Sequence, residues 1–158
     1  MTELVVPLPT RRATIQLGAR LARHLAAGDL LALEGPLGAG KTFLTRALCR
    51  ALGLPRDIAV TSPTFTLLHE LETSPPVAHA DLYRLADATA VRLLGLDAQR
   101  DDGRILVVEW GLPYLDLLGG DALLVSLAVD PVREARLRAT GARSARVLAE
   151  LADASGVL

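Results

Sequence analysis

Gly35-Pro36-Leu37-Gly38-Ala39-Gly40-Lys41-Thr42 decides how the rest of the chain is read. It follows the apolar run Leu30 to Glu34, which has the length of a buried strand, and precedes Lys41 to Leu52, where Leu44, Ala47, Leu48 and Ala51 recur at helical spacing. Gly35, Gly38 and Gly40 allow backbone conformations and close approaches that a Cβ obstructs, so successive N–H groups can point at one anion. The start of the following helix adds its positive dipole end. The pattern G-x-x-x-x-G-K-[ST], in the strand-to-helix setting it requires, predicts a phosphate-binding loop. Average residue usage yields this pattern by chance in roughly one chain of this length in two hundred, before that setting is demanded. In such a loop Lys41 reaches the β- and γ-phosphates and the Thr42 hydroxyl sits on Mg²⁺.

The cationic composition singles out the same position. Of the 17 basic residues, Lys41 is the only lysine. An ammonium is a compact point charge that fits between phosphate oxygens where a flat guanidinium is too wide.

Outward from the loop, the 158 residues read as one domain spanning 1–158, with no repeat, low-complexity tract or linker. Apolar residues make up 51% and charged residues 22%, the mixture of a folding globular chain. A formal net charge of −1 and a pI near 6.3 provide no broad positive footprint for nucleic acid, which argues against DNA binding. No uncharged apolar run approaches the ~18 residues of a membrane span, and no signal peptide is visible, so a cytoplasmic location is expected. Cys49 is the single cysteine, which excludes an intrachain disulfide.

Leu17, Leu21 and Leu25 recur every four residues and predict a helix over 14–27, capped by Gly28. Val5 and Val6 suggest a short extended segment. Phe65 to Leu71 and Val77 to Leu82 are expected as a strand and its return partner, with a short helix over 88–94. Ile105 to Trp110 and Asp121 to Val129 read as central strands. Arg133 to Thr140 has the alternation of a half-exposed strand, and Ser144 to Leu151 closes as a helix. The expected fold class is α/β, a single-domain P-loop NTPase with a mixed central sheet flanked by helices.

A phosphate loop holds a nucleotide, but hydrolysis or transfer needs a carboxylate near Mg²⁺ and a group that places the nucleophile. Glu109 ends the clean run Ile105-Leu106-Val107-Val108, where a buried strand opens into the ligand crevice of an α/β sheet. Asp81, in His79-Ala80-Asp81-Leu82-Tyr83-Arg84, is the second acid and a water-orienting candidate. His79 and Asp81 at alternate strand positions could ligate a metal, though two residues do not make a site. Thr61, Ser62 and Thr64 read either as turn caps or as a switch-like loop that meets the γ-phosphate. Trp110 is the only tryptophan and would report on this site. These residues leave three readings open: a slow ATPase completed by a partner, a small-molecule kinase using the same loop, or a nucleotide-binding module without a catalytic role.

Four blocks, the phosphate loop, Ser62-Pro63-Thr64-Phe65-Thr66-Leu67, His79-x-Asp81-Leu82-Tyr83-Arg84-Leu85 and Val108-Glu109-Trp110, stand in the order and spacing that resemble the TsaE family of bacterial tRNA threonylcarbamoyladenosine biosynthesis. The resemblance implies a P-loop ATPase that uses ATP and Mg²⁺ and works with the TsaB and TsaD proteins, which modify adenosine 37 of tRNAs reading ANN codons. It implies contact with tRNA through that complex. By position, Gly38, Ala39, Gly40, Lys41, Thr42 and Phe43 would bind ATP phosphates, Thr42 and Glu109 would hold Mg²⁺, and Asp81 would serve hydrolysis. Thr64 would belong to the switch-like loop and Trp110 would lie beside the metal. Pro9, Arg11 and Arg133 are nominated as neighbours of the base. Two positions depart from the family: Phe43 stands where a second Thr is usual, and Pro36 where an acidic residue is usual.

Overall fold

The structure is a computed structural model and describes residues 2–155. In chain order its elements are β1 (Leu4–Pro7), α1 (Arg11–His24), β2 (Leu30–Glu34), α2 (Lys41–Ala51), β3 (Leu68–Leu71), β4 (Val77–Asp81), α3 (Ala88–Leu93) and α4 (Leu96–Asp101). There follow β5 (Ile105–Glu109), a 3₁₀ helix (Leu112–Leu118), β6 (Leu123–Ala128), β7 (Glu134–Ala139) and α5 (Ala142–Ser155). The seven strands form one mixed sheet in the order β1-β7-β6-β2-β5-β4-β3, flanked by the five α-helices.

Strand β2 is parallel to both of its neighbours, β5 and β6, and β4 continues the parallel set beyond β5. Strands β1, β3 and β7 join by antiparallel pairing. Pro7 falls on the edge strand β1, where a missing N–H costs no ladder bond on the open side.

Side-chain alternation along β2 divides the core in two. Leu31 and Leu33 pack with Leu17 and Leu21 of α1, Leu44 and Leu48 of α2 and Leu148 of α5. Leu30 and Ala32 face the opposite layer, with Leu106, Val108, Leu96 and Leu118. Helices α1 and α2 meet closely at Gly18, where a Cβ would lie 2.6 Å from that of Ala47. Burial on both faces accounts for the unbroken apolar character of β2 and β5.

Several boundaries differ from the sequence expectations. Helix α1 starts at Arg11 because the Thr10 hydroxyl accepts from Ala13 N at 3.1 Å, and it ends at His24, short of Gly28. The strand expected from Phe65 begins only at Leu68, since Leu67 adopts φ 70° and its N–H turns back to Pro63 O at 2.8 Å. Helix α4 and the 3₁₀ helix were not anticipated, and α5 begins at Ala142 and extends past Leu151.

Candidate functional site

Register places the chemistry at the carboxyl ends of the parallel strands. Asp81 pairs with Glu109 across β4 and β5, and Glu109 pairs with Leu33 across β5 and β2, so both acids lie level with the end of the strand that enters the glycine-rich loop. Gly35 leaves β2 at φ 145°, and a Cβ there would meet Leu127 O at 2.8 Å. Helix α2 then starts at Lys41 behind Gly40, which offers no side-chain cap, leaving its first N–H groups without intrahelical acceptors.

Lys41 sits in this cradle at 7% exposure. Its ammonium donates to Gly35 O and lies 4.9 Å from the centroid of the Trp110 ring. Among the described residues it has no carboxylate partner. A buried cation lacking a counter-charge beside uncapped helix N–H groups is suited to an incoming anion of several charges.

The acids have different surroundings. Glu109 is buried and its Oε2 lies 2.8 Å from His79 Nε2. Asp81, also buried, accepts from Tyr83 N at 2.9 Å through Oδ1 and from the Thr64 hydroxyl at 3.3 Å through Oδ2. Ser62 and Thr64 hydroxyls are 2.9 Å apart, so the 61–67 loop is tethered to Asp81 through Thr64. Tyr83 and Trp110 rings pack at 5.0 Å, and Trp110 holds φ 60°, a left-handed conformation that costs a non-glycine residue on the order of 1–3 kcal/mol.

On the other side of the loop lies a cavity of about 390 Å³. Pro9, Arg11, Ala39, Gly40, Phe43 and Arg133 line it, bringing the N-terminal segment and the lead-in to β7 against the loop. The Arg11 guanidinium stands 4.9 Å from the centroid of the Phe43 ring. Leu8, Thr10, Thr14 and Leu127 complete the wall, and no sequence motif marks them. Their contribution follows from the crossing of α1 over the sheet.

The fit of Mg²⁺ can be judged from the donors present. Among the described residues no three His, Cys, Asp or Glu side chains form a metal-binding group. Mg²⁺ differs from all-protein metal sites in commonly taking one or two carboxylates and completing its shell with phosphate oxygens and water. Glu109 at the strand end supplies a carboxylate of that kind, and Thr42 in the first turn of α2 adds a neutral hydroxyl oxygen. No helix among the described residues is long and apolar enough to cross a membrane.

Comparisons with known proteins agree with this architecture. The family described as threonylcarbamoyl adenosine biosynthesis protein TsaE matches residues 8–136. A Streptomyces coelicolor protein named tRNA threonylcarbamoyladenosine biosynthesis protein TsaE is 41% identical over 138 residues, covering 81% of this chain and 91% of its own. A Bacillus subtilis protein of the same name is 37% identical over 127 residues, or 78% of each chain. The crystal structure of Bacillus subtilis YdiB aligns over 99% of both chains with a TM-score of 0.80 and 29% identity.

Proposed function

This chain belongs to the TsaE family of tRNA threonylcarbamoyladenosine biosynthesis proteins, and from that premise we propose that it binds ATP with Mg²⁺ and hydrolyses it slowly, in support of adenosine 37 modification by TsaB and TsaD. The observation that carries this reading is the uncompensated ammonium of Lys41 in a glycine-rich cradle, with Glu109 on the adjacent parallel strand. Cytoplasmic tRNA is the ultimate substrate in this reading, reached through the partner complex.

Each residue then has a physical task. Gly38 to Phe43 present N–H groups to the phosphates, and Lys41 exchanges its bond to Gly35 O for phosphate oxygens. Thr42 and Glu109 would hold the metal ion, which when bound supplies positive charge against the phosphate oxygens. The cavity beside Arg11, Phe43 and Arg133 receives the nucleoside end. Asp81 orients the attacking water through Oδ2 once the longer contact from Thr64 is released, which couples the 61–67 loop to hydrolysis.

With Glu109 given to the metal ion and Asp81 to the water, this reading assigns no arginine finger within the chain, so turnover by the isolated protein is expected to be slow and the partner complex to raise it. The test is steady-state ATP hydrolysis with Mg²⁺, alone and with TsaB and TsaD, using Lys41→Ala as control. Hydrolysis indifferent to the complex but stimulated by a small hydroxyl-bearing acceptor would replace this reading with a kinase.

A further inference from the structure

We propose that His79 is a positioning residue for Glu109: through its Nε2–H it locks one carboxylate oxygen and leaves the other as the single oxygen offered to a divalent cation. The inference rests on the metal-holding role given to Glu109 under the proposed function.

His79 is fully buried in the middle of β4, and in the parallel register with β5 it stands opposite Val107, diagonal to Glu109 on the same sheet face. Val77, Val107 and Leu71 flank it on that face, with Asp81 two residues further along β4 and His69 opposite it on β3. The ring of His69 on β3 contacts it edge-on, with centroids 6.4 Å apart. Among the described residues the ring's one hydrogen-bond partner is Glu109 Oε2 at 2.8 Å, and Nδ1 is buried with none.

Of the two neutral forms of the ring, that orphaned nitrogen favours the one with its hydrogen on Nε2. With the hydrogen on Nδ1, a donor would be buried without an acceptor and the Nε2 lone pair would face carboxylate lone pairs. With the hydrogen on Nε2, the strong bond is made and only an acceptor goes unused. An apolar side chain would fill this place in the core without stranding a polar atom, so packing alone gives no account of a histidine here.

A glutamate has three rotatable bonds, and an unrestrained carboxylate at a strand end samples several orientations. Tying Oε2 to a ring that is itself wedged inside the sheet removes that freedom before the ligand arrives. Partners of this kind behind a ligating carboxylate typically change metal affinity by about 10- to 100-fold.

The experiment measures ATP affinity by calorimetry, in EDTA and in Mg²⁺, and takes the ratio as the metal-dependent gain. The variants are His79→Phe, which keeps a ring without a donor, His79→Gln, whose amide N–H replaces Nε2–H, and Glu109→Gln. His79→Phe is expected to lose about tenfold or more of the gain, with EDTA affinity unchanged, and His79→Gln to regain most of it. A wild-type gain in His79→Phe while Glu109→Gln loses it overturns the positioning role alone. A wild-type gain in Glu109→Gln overturns the metal reading beneath it. Nitrogen-15 spectra of the unsubstituted protein keep the test independent of how the variants fold: a ring hydrogen on Nε2 supports the proposal, and one only on Nδ1 overturns it.

Discussion

Lys41 and Trp110 face each other at 4.9 Å, the single lysine of the chain against the face of its single tryptophan. The pair joins the first residue of α2 to the residue after β5, across the edge where the loop and Glu109 meet.

Removing the ammonium should therefore act on the ligand and spare the fold. Lys41→Ala is expected to weaken ATP binding by about two orders of magnitude, the scale of losing one or two charge-assisted hydrogen bonds. Its melting temperature should stay level or rise, because an uncompensated buried charge is removed. Trp110 emission is expected to respond to ATP in the parent protein and to lose that response in the variant. Calorimetry and fluorescence titration read the two effects separately.

The glycines of the loop should differ in what an added methyl does. Gly35→Ala drives a Cβ to 2.8 Å from Leu127 O, in backbone that cannot yield, and is expected to cost about 2–3 kcal/mol and to distort the cradle. Gly38→Ala meets nothing within 4 Å and bears only its φ of 79°, worth roughly 1–2 kcal/mol. Urea denaturation of both variants should rank Gly35→Ala as the less stable.

The Phe43 ring forms a wall of the 390 Å³ cavity with Arg11 against it. Phe43→Thr should release Arg11 and open the cavity. A partly exposed cation–π contact is worth about 0.5–1 kcal/mol, so ATP affinity should fall about twofold to fivefold unless the new hydroxyl bonds a phosphate. Comparing ATP with inorganic triphosphate separates the two effects, since under the proposed function only ATP has a nucleoside to place in the cavity.

Asp121 closes the N-terminus of α5 from a distance: its carboxylate oxygens accept from Arg143 N at 2.8 Å and Ser144 N at 2.9 Å. Burial pushes its carboxyl up, but the bonds from Ser144 and Arg143 and the Arg143 charge outweigh this and hold it below the ordinary aspartate value. A depressed folded value means that the unfolded chain binds the proton more readily. The stabilisation is therefore complete above about pH 4 and is lost as pH falls through the folded value. Asp121→Asn, able to accept only one of the two bonds, should cost about 1 kcal/mol at neutral pH, and the gap from the parent should close in acid. Denaturation curves at pH 7 and pH 3 check both statements.

The parts legible in the sequence were those carried by local pattern. The loop needs only eight contiguous residues, and β5 announces itself through an apolar run ending in Glu109. Helix α1 was displaced because its first turn is polar: Arg11 and Arg12 hide the onset that the Thr10 cap sets. The His79–Glu109 bond joins residues 30 apart and depends on a parallel register that no local spacing encodes. The cavity wall at Leu127 likewise exists only once β6 lies beside β2.

The lone lysine has one more consequence, for reagents. Acylating agents, reductive alkylation and lysine-directed cross-linkers find a single side-chain amine in this chain, and it is almost wholly buried in the cradle. Every other basic side chain apart from the histidines is a guanidinium, which stays protonated and resists acylation at neutral pH. Side-chain amine labelling therefore maps occupancy of the loop instead of the outer surface, and a phosphate lodged there acts as the protecting group.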